Sequence, residues 1–127
     1  MADNTFVNIG GHKVSAGKKY STSEVKTGDV WIDGKPIYRK VVQFTLISGI
    51  GWTYYNHNIS NIDEIILLTG LYKTSAPTWV CIGGSIRASN VGTWLVGDKT
   101  RIGIYSDTSE GQNRPATVTI EYTKTTD

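Results

Sequence analysis

The sequence predicts an all-β domain, an antiparallel β-sandwich or jelly-roll-like fold with a flexible N-terminal arm. Three observations carry that prediction. From Thr27 onward the apolar residues fall in short runs rich in Val, Ile, Thr and Tyr, without helical spacing. Turn signals built from Gly, Asn, Asp and Pro interrupt those runs about every 10 residues, the rhythm of a two-layer β fold. Neither a coiled-coil heptad nor an internal repeat of about 20–50 residues is present. Roughly six to eight strands result, and 127 residues suit a single domain able to bury a core without covalent staples.

Residues 1–24 are rich in Gly, Lys, Ser, Asn and Thr, and their sparse apolar residues follow no period. They are expected to form an arm or linker, with the β domain over 25–127. The stretch TGDVWIDGKPIYRKVVQF (27–44) reads as two strands folded about Asp33-Gly34, a pair suited to a two-residue type I′ turn. That register sets Ile32 opposite Lys35, Trp31 opposite Pro36 and Val30 opposite Ile37. Pro36 then needs no N–H on its partner side, and its other side must be unpaired, which places this part of the hairpin at a sheet edge. One face collects Trp31, Pro36, Tyr38, Val42, Phe44 and Leu46, with Lys40 the exception. The other collects Val30, Ile32, Ile37 and Val41 before turning polar at Gln43 and Thr45. A hairpin over one core needs a single apolar face. The second must be covered, either by another layer of the same subunit or by neighbouring copies of the chain.

ISGIGWTYYNHNIS (47–60) is a Gly- and Asn-rich connection carrying three aromatics. In NIDEIILLTGLY (61–72), Ser60 with Asp63 and Glu64 fits a helix cap. The apolar run Ile65–Leu68 is short and closely followed by Gly70, so a buried strand is expected. TWVCIGGSIRA (78–88) and GTWLVGDKTRIGIYS (92–106) read as short strands broken by Gly-Gly and by Gly97-Asp98, and SDTSEGQNRP (106–115) reads as a loop. ATVTIEYTK (116–124) alternates most cleanly: Val118, Ile120 and Tyr122 face in, while Thr117, Thr119, Glu121 and Thr123 face out. Trp79 and Trp94 are expected in the core, and Cys81, in the apolar context WVCIGG, is expected as a buried small hydrophobe.

Charged residues make up 19% and the net charge is +2, with Lys and Arg scattered, which is no nucleic-acid footprint. A single cysteine excludes an intrachain disulfide. The polar N-terminus lacks a secretion signal and no apolar run approaches the roughly 18 residues of a membrane span, so a soluble protein made in a cytoplasm is expected. His12 and His57 lack a second ligand at zinc spacing, so no metal or other cofactor is expected. Asp63 and Glu64 point to opposite faces of a strand, which is wrong for a paired acid and base. Ser60, His57 and Asp63 lie within one polar loop without a nucleophile elbow. Asn58-Ile59-Ser60 fits a glycosylation sequon with no secretory signal beside it. No catalytic constellation emerges, and a non-enzymatic role is expected.

Aromatic usage stands out instead: four Trp and seven Tyr beside two Phe. Trp and Tyr combine an apolar face with a polar tip and suit half-wet surfaces. Trp52, Tyr54 and Tyr55 with Asn56, His57 and Asn58 supply what a sugar ring needs, a flat platform and hydrogen-bonding groups, and form the candidate glycan site. Alternatively, Trp52 and one Tyr plug the end of the sandwich.

YSTSEVKTGDVWIDGKPIYRKVV (20–42), NISNIDEII (58–66) and ATVTIEYTKTTD (116–127) resemble segments of tail-fibre and related virion structural proteins of tailed phages and prophages of gut and Firmicutes bacteria. Together the three blocks span about 100 residues and correspond to the hairpin, a central strand and the last strand. The resemblance implies a C-terminal virion module, homotrimeric, joined to other virion or tail proteins through its N-terminal arm. It implies attachment to a bacterial cell-surface polysaccharide; the scattered charge and the absence of a long apolar run predict no nucleic acid and no membrane insertion. With only a short stretch upstream, a short virion protein, a tip carried on another shaft or a fragment is expected rather than a whole fibre. Under this reading Val30, Ile32, Ile37 and Val41 pack about a three-fold axis. A structural decoration or plug without ligand is the alternative, and a glycan-cleaving tip a weaker one.

Overall fold

The computed structural model describes residues 19–75, 78–82, 93–106 and 113–126, together with the backbone of strands at 6–9 and 12–15. Thr93 and Trp94 are likewise described by their backbone alone. The strands in chain order are β1 (Phe6–Ile9), β2 (His12–Ser15), β3 (Val25–Val30), β4 (Pro36–Thr45), β5 (Gly51–Asn56), β6 (Ile62–Lys73), β7 (Trp79–Ile82), β8 (Thr93–Gly97), β9 (Arg101–Ser106) and β10 (Pro115–Lys124). They form a five-stranded sheet, β3-β4-β10-β6-β7, and a three-stranded sheet, β5-β9-β8, packed as a sandwich; β1 and β2 make a separate ribbon. Every pairing is antiparallel.

β10 holds the centre because its alternation leaves one continuous apolar face. Ala116, Val118, Ile120 and Tyr122 are all buried, and β4 and β6 flank the strand. Val42, Leu46, Tyr72, Ile82, Ala116 and Val118 of the large sheet meet Ile102 and Ile104 of the small one. A second cluster joins Ile59, Ile62, Ile120 and Tyr122, with Tyr38 and Ile65 packed against it. The Tyr122 hydroxyl donates to Glu24 Oε1 at 2.6 Å, and burial together with that carboxylate pushes its pKa well above the ordinary tyrosine value.

NIDEIILLTGLY lies within or beside β6, a strand between β10 and β7 as expected, but only one of its faces is buried: Ile62 and Tyr72 are core, whereas Leu67 and Leu71 are exposed on the other face. Asn58 and Asn61 precede it with left-handed φ of 56° and 61°. Three side chains depart from expectation. Thr123 is fully buried: the β10–β6 register slips between Tyr122 and Lys124, and Glu64 N–H donates to Thr123 Oγ1 at 3.3 Å. Cys81 and Trp79 are exposed because β7 turns Val80 and Ile82 inward instead; Lys73 Nζ sits 5.2 Å from the Trp79 ring centre. The Trp94 side chain and the loop centre at 107–112 lie outside the described residues.

The 27–44 hairpin is corrected in register. Trp31 N–H donates to Lys35 C=O at 2.9 Å, Gly34 N–H donates to Trp31 C=O at 2.8 Å, and within the turn Gly34 alone takes positive φ, at 88°. These are the marks of a three-residue loop, a type I turn followed by a G1 bulge, rather than a type I′ turn. Val30 therefore faces Pro36, not Ile37. The expected shared face of Val30, Ile32, Ile37 and Val41 dissolves, since a one-residue slip exchanges the sides of a strand. Val30 is 65% exposed beside Pro36, and Ile32 is 90% exposed at the turn tip. Ile37 is buried and Val41 half-buried on the outer side of β4. The edge position of Pro36 holds, because β10 pairs with β4 only from Tyr38 onward. A Cβ on Gly34 would meet open space, so Gly34→Ala should cost only the left-handed backbone, about 1–2 kcal/mol. Gly34→Asn should cost less, and urea denaturation of the two variants tests the turn type.

The stretch 1–24, expected as an arm without regular structure, contains the β1–β2 ribbon, in which Phe6 pairs with Ser15 and Ile9 with His12. Its last residues are fastened to the sandwich. Val41 N–H donates to Ser21 C=O at 2.9 Å, and the Arg39 guanidinium reaches Lys19 C=O at 3.1 Å and lies 4.6 Å from the Tyr20 ring centre.

Candidate functional site

GWTYYN is an edge strand of the small sheet rather than a connection, and its alternation sorts the aromatics. Thr53 and Tyr55 pair with Ile104 and Ile102, whose side chains are core, so they face inward. Trp52 and Tyr54 face outward opposite Tyr105 and Gly103. They are 39% and 48% exposed, which rules out an end plug. Their rings run nearly parallel, 11° apart with centres at 5.7 Å, and Tyr105 tilts against Trp52 at 5.3 Å.

Two neighbours shape this platform. A Cβ on Gly103 would come within 2.8 Å of Tyr54 Cε1, so the missing side chain is what lets the tyrosine ring cross β9. The Arg101 guanidinium lies 3.9 Å from the Tyr54 ring centre, a cation–π contact that fixes the charge beside the aromatics. Val96, also exposed, faces Gly103 from β8, and Trp94 stands opposite Tyr105 in the ladder.

The six residues expected to make one glycan site therefore separate. Trp52 and Tyr54 share the outer face. Tyr55 stacks on Phe44 across the sandwich, ring centres 4.8 Å apart. Asn56 Oδ1 accepts from Asn58 N–H at 2.8 Å, forming a local turn. His57 is buried and serves as a brace: Nδ1 accepts from Ile59 N–H at 3.1 Å, which leaves Nε2–H to donate to Asp98 C=O at 2.8 Å. Asn58 is exposed next to it.

The β8–β9 turn that receives His57 is held by Asp98. Its Oδ1 accepts from Thr100 N–H at 2.7 Å and Arg101 N–H at 2.8 Å. Those bonds, led by the Arg101 N–H, hold the Asp98 carboxyl below the ordinary aspartate value. The native state thus favours the ionised carboxyl. Its stabilising contribution is complete above the ordinary aspartate pKa and is lost as the pH falls through the depressed one. Denaturation measured from about pH 5 to about pH 2 should show wild type losing more stability than Asp98→Asn, which cannot titrate.

Sequence reasoning missed Tyr105, Arg101, Gly103 and Val96. The alternation of RIGIYS does put Arg101, Gly103 and Tyr105 on one side, but nothing local says that β9 lies beside β5. Comparison with protein-family models, curated proteins and solved structures returns no match. Among the described residues no group of three His, Cys, Asp or Glu side chains is placed to hold a metal ion. No helix among them is long and apolar enough to cross a membrane.

Proposed function

We propose that this domain is a non-enzymatic attachment module of a phage virion, the tip of a tail fibre or similar appendage, which holds a bacterial surface polysaccharide against the outer face of the small sheet. The observation that carries the reading is the exposed Trp52–Tyr54 pair on β5, in contact with Tyr105 and Arg101. Sugar rings present flat C–H faces rimmed by hydroxyls. Parallel aromatic rings match the faces, and the Arg101 fork supplies donors for the rim. A shallow platform binds each unit weakly, and a homotrimer would gain by avidity factors of about 10²–10⁴ where the sites can engage together.

Binding of the purified protein to host cell-wall polysaccharide tests the proposal. Trp52→Ala should weaken binding about tenfold or more, the effect of losing a central aromatic contact, while leaving the fold intact. Equal binding by wild type and Trp52→Ala would overturn it. Light scattering behind size-exclusion tests the trimer. A purely structural virion role is the second reading. Leu67 and Leu71, 42% and 40% exposed on the outer side of β6, favour it as a surface for a neighbouring virion protein.

A further inference from the structure

We propose a second ligand site, in the cleft between β4 and the end of β5, built for one anionic group carried on a polyhydroxylated unit. The cleft measures about 270 Å³ and is walled by Thr22, Lys40, Gln43, Tyr55, His57 and Asn58. That is slightly below the roughly 300–1,000 Å³ of drug-sized pockets, and suits a single sugar or polyol unit. It opens where β3 has stopped pairing with β4, past Arg39; there the Ser21 carbonyl accepts from Val41 N–H, and among the described residues no further strand pairs with this edge of β4.

The charge pattern selects the ligand. Lys40 lies on the core-facing side of β4, and its ammonium donates to the His57 carbonyl at 2.8 Å. The residue that carries this carbonyl is anchored, its ring buried and bonded at both nitrogens. The cation is thereby held in place with two N–H donors left over. Among the described residues no acidic side chain lines the cleft. Elsewhere Lys35 pairs with Asp63, Arg39 with Glu121 and Lys124 with Glu24, but Lys40 has no carboxylate partner among the described residues. Thr22, Gln43 and Asn58 bring hydroxyl and amide groups suited to a polyol, and Tyr55, stacked on Phe44, makes a firm wall. A cation held in place with no carboxylate partner among the described residues, amid neutral hydrogen-bonding groups, is complementary to a carboxylate or phosphate on such a unit. Tyr55 and Trp52 sit on opposite faces of β5, so the cleft does not depend on the outer platform.

Amide NMR titrations of the full chain with glucuronate, glycerol 3-phosphate and glucose test the site. Glucuronate or glycerol 3-phosphate should shift the Thr22, Gln43 and Asn58 resonances while glucose does not, and the anion that binds identifies a carboxylate or a phosphate source. Lys40→Gln should weaken the effective anion about tenfold or more, as loss of a charge-assisted hydrogen bond requires. Gln43→Ala, at an exposed position, should weaken it without touching the brace on His57, and Trp52→Ala should bind it like wild type. Failure of both anions to shift these resonances, equal shifts with glucose, or unchanged binding by a folded Lys40→Gln would overturn the proposal.

Discussion

Replacing Arg39 by alanine should destabilise the domain by about 3–5 kcal/mol, the effect of breaking a buried ion pair from one side. Arg39 is 1% exposed, and its Nε and Nη2 both reach Glu121 Oε2 at 2.8 Å. The two residues stand opposite each other on β4 and β10, on the outer side of the large sheet. Tyr20 and the Lys19 carbonyl complete the surroundings of the guanidinium. Removing it strands a carboxylate that is only 18% exposed and frees the segment at 19–21. The double variant Arg39→Met, Glu121→Leu should recover most of the loss, because an apolar pair of similar volume has no charge to desolvate. Urea denaturation of the single and double variants measures both. A loss below about 1 kcal/mol in Arg39→Ala would mean that the pair behaves like an exposed one.

Ile104→Ala should cost about 2–5 kcal/mol, the range for emptying a packed core position. Ile104 is 1% exposed, and with Ile102 it carries the buried contact of the small sheet with Val42, Tyr72, Ile82 and Val118. Its ladder partners are Thr53 on β5 and Leu95 on β8, so the cavity would open under all three strands. Val96→Ala, one position further along β8 and 46% exposed, should cost less than about 1 kcal/mol. The contrast tests which face of the small sheet is core. Because β9 also carries Arg101, Gly103 and Tyr105, loosening it should disturb the aromatic platform too.

The last strand was legible from its own residues. ATVTIEYTK alternates without interruption, and a strand paired on both sides expresses its alternation fully. Its one misplaced residue, Thr123, sits at a register slip, which depends on β6 as much as on β10. The exposure of Trp79 and Cys81 is not legible in the sequence because a four-residue strand shows which residues share a side without showing which side is wet. GWTYYN reads as a loop because Gly and Asn at its ends are turn signals and its three aromatics do not alternate strictly with polar residues. The candidate site was half legible: its aromatics could be named, but their division between the two faces, and the brace formed by His57, could not.

By itself the sequence determined that residues 25–127 would form a two-layer antiparallel β fold, a sandwich or jelly roll, where most of its strands would run, and that β10 would be apolar on the side of Val118, Ile120 and Tyr122. These follow from local chemistry: a pleat of period two, β-branched side chains and turn residues each act within a few positions. Only the tertiary structure decided that β5 lies beside β9, which side of each short strand is buried, and that the 27–44 hairpin closes on Lys35 with Gly34 as a bulge. Those outcomes depend on contacts between residues far apart in the chain, or on the choice between turns that the same Asp-Gly pair permits. A change of one residue in such a choice moves every side chain to the other face, so a small local preference is settled by the packing of the whole sheet.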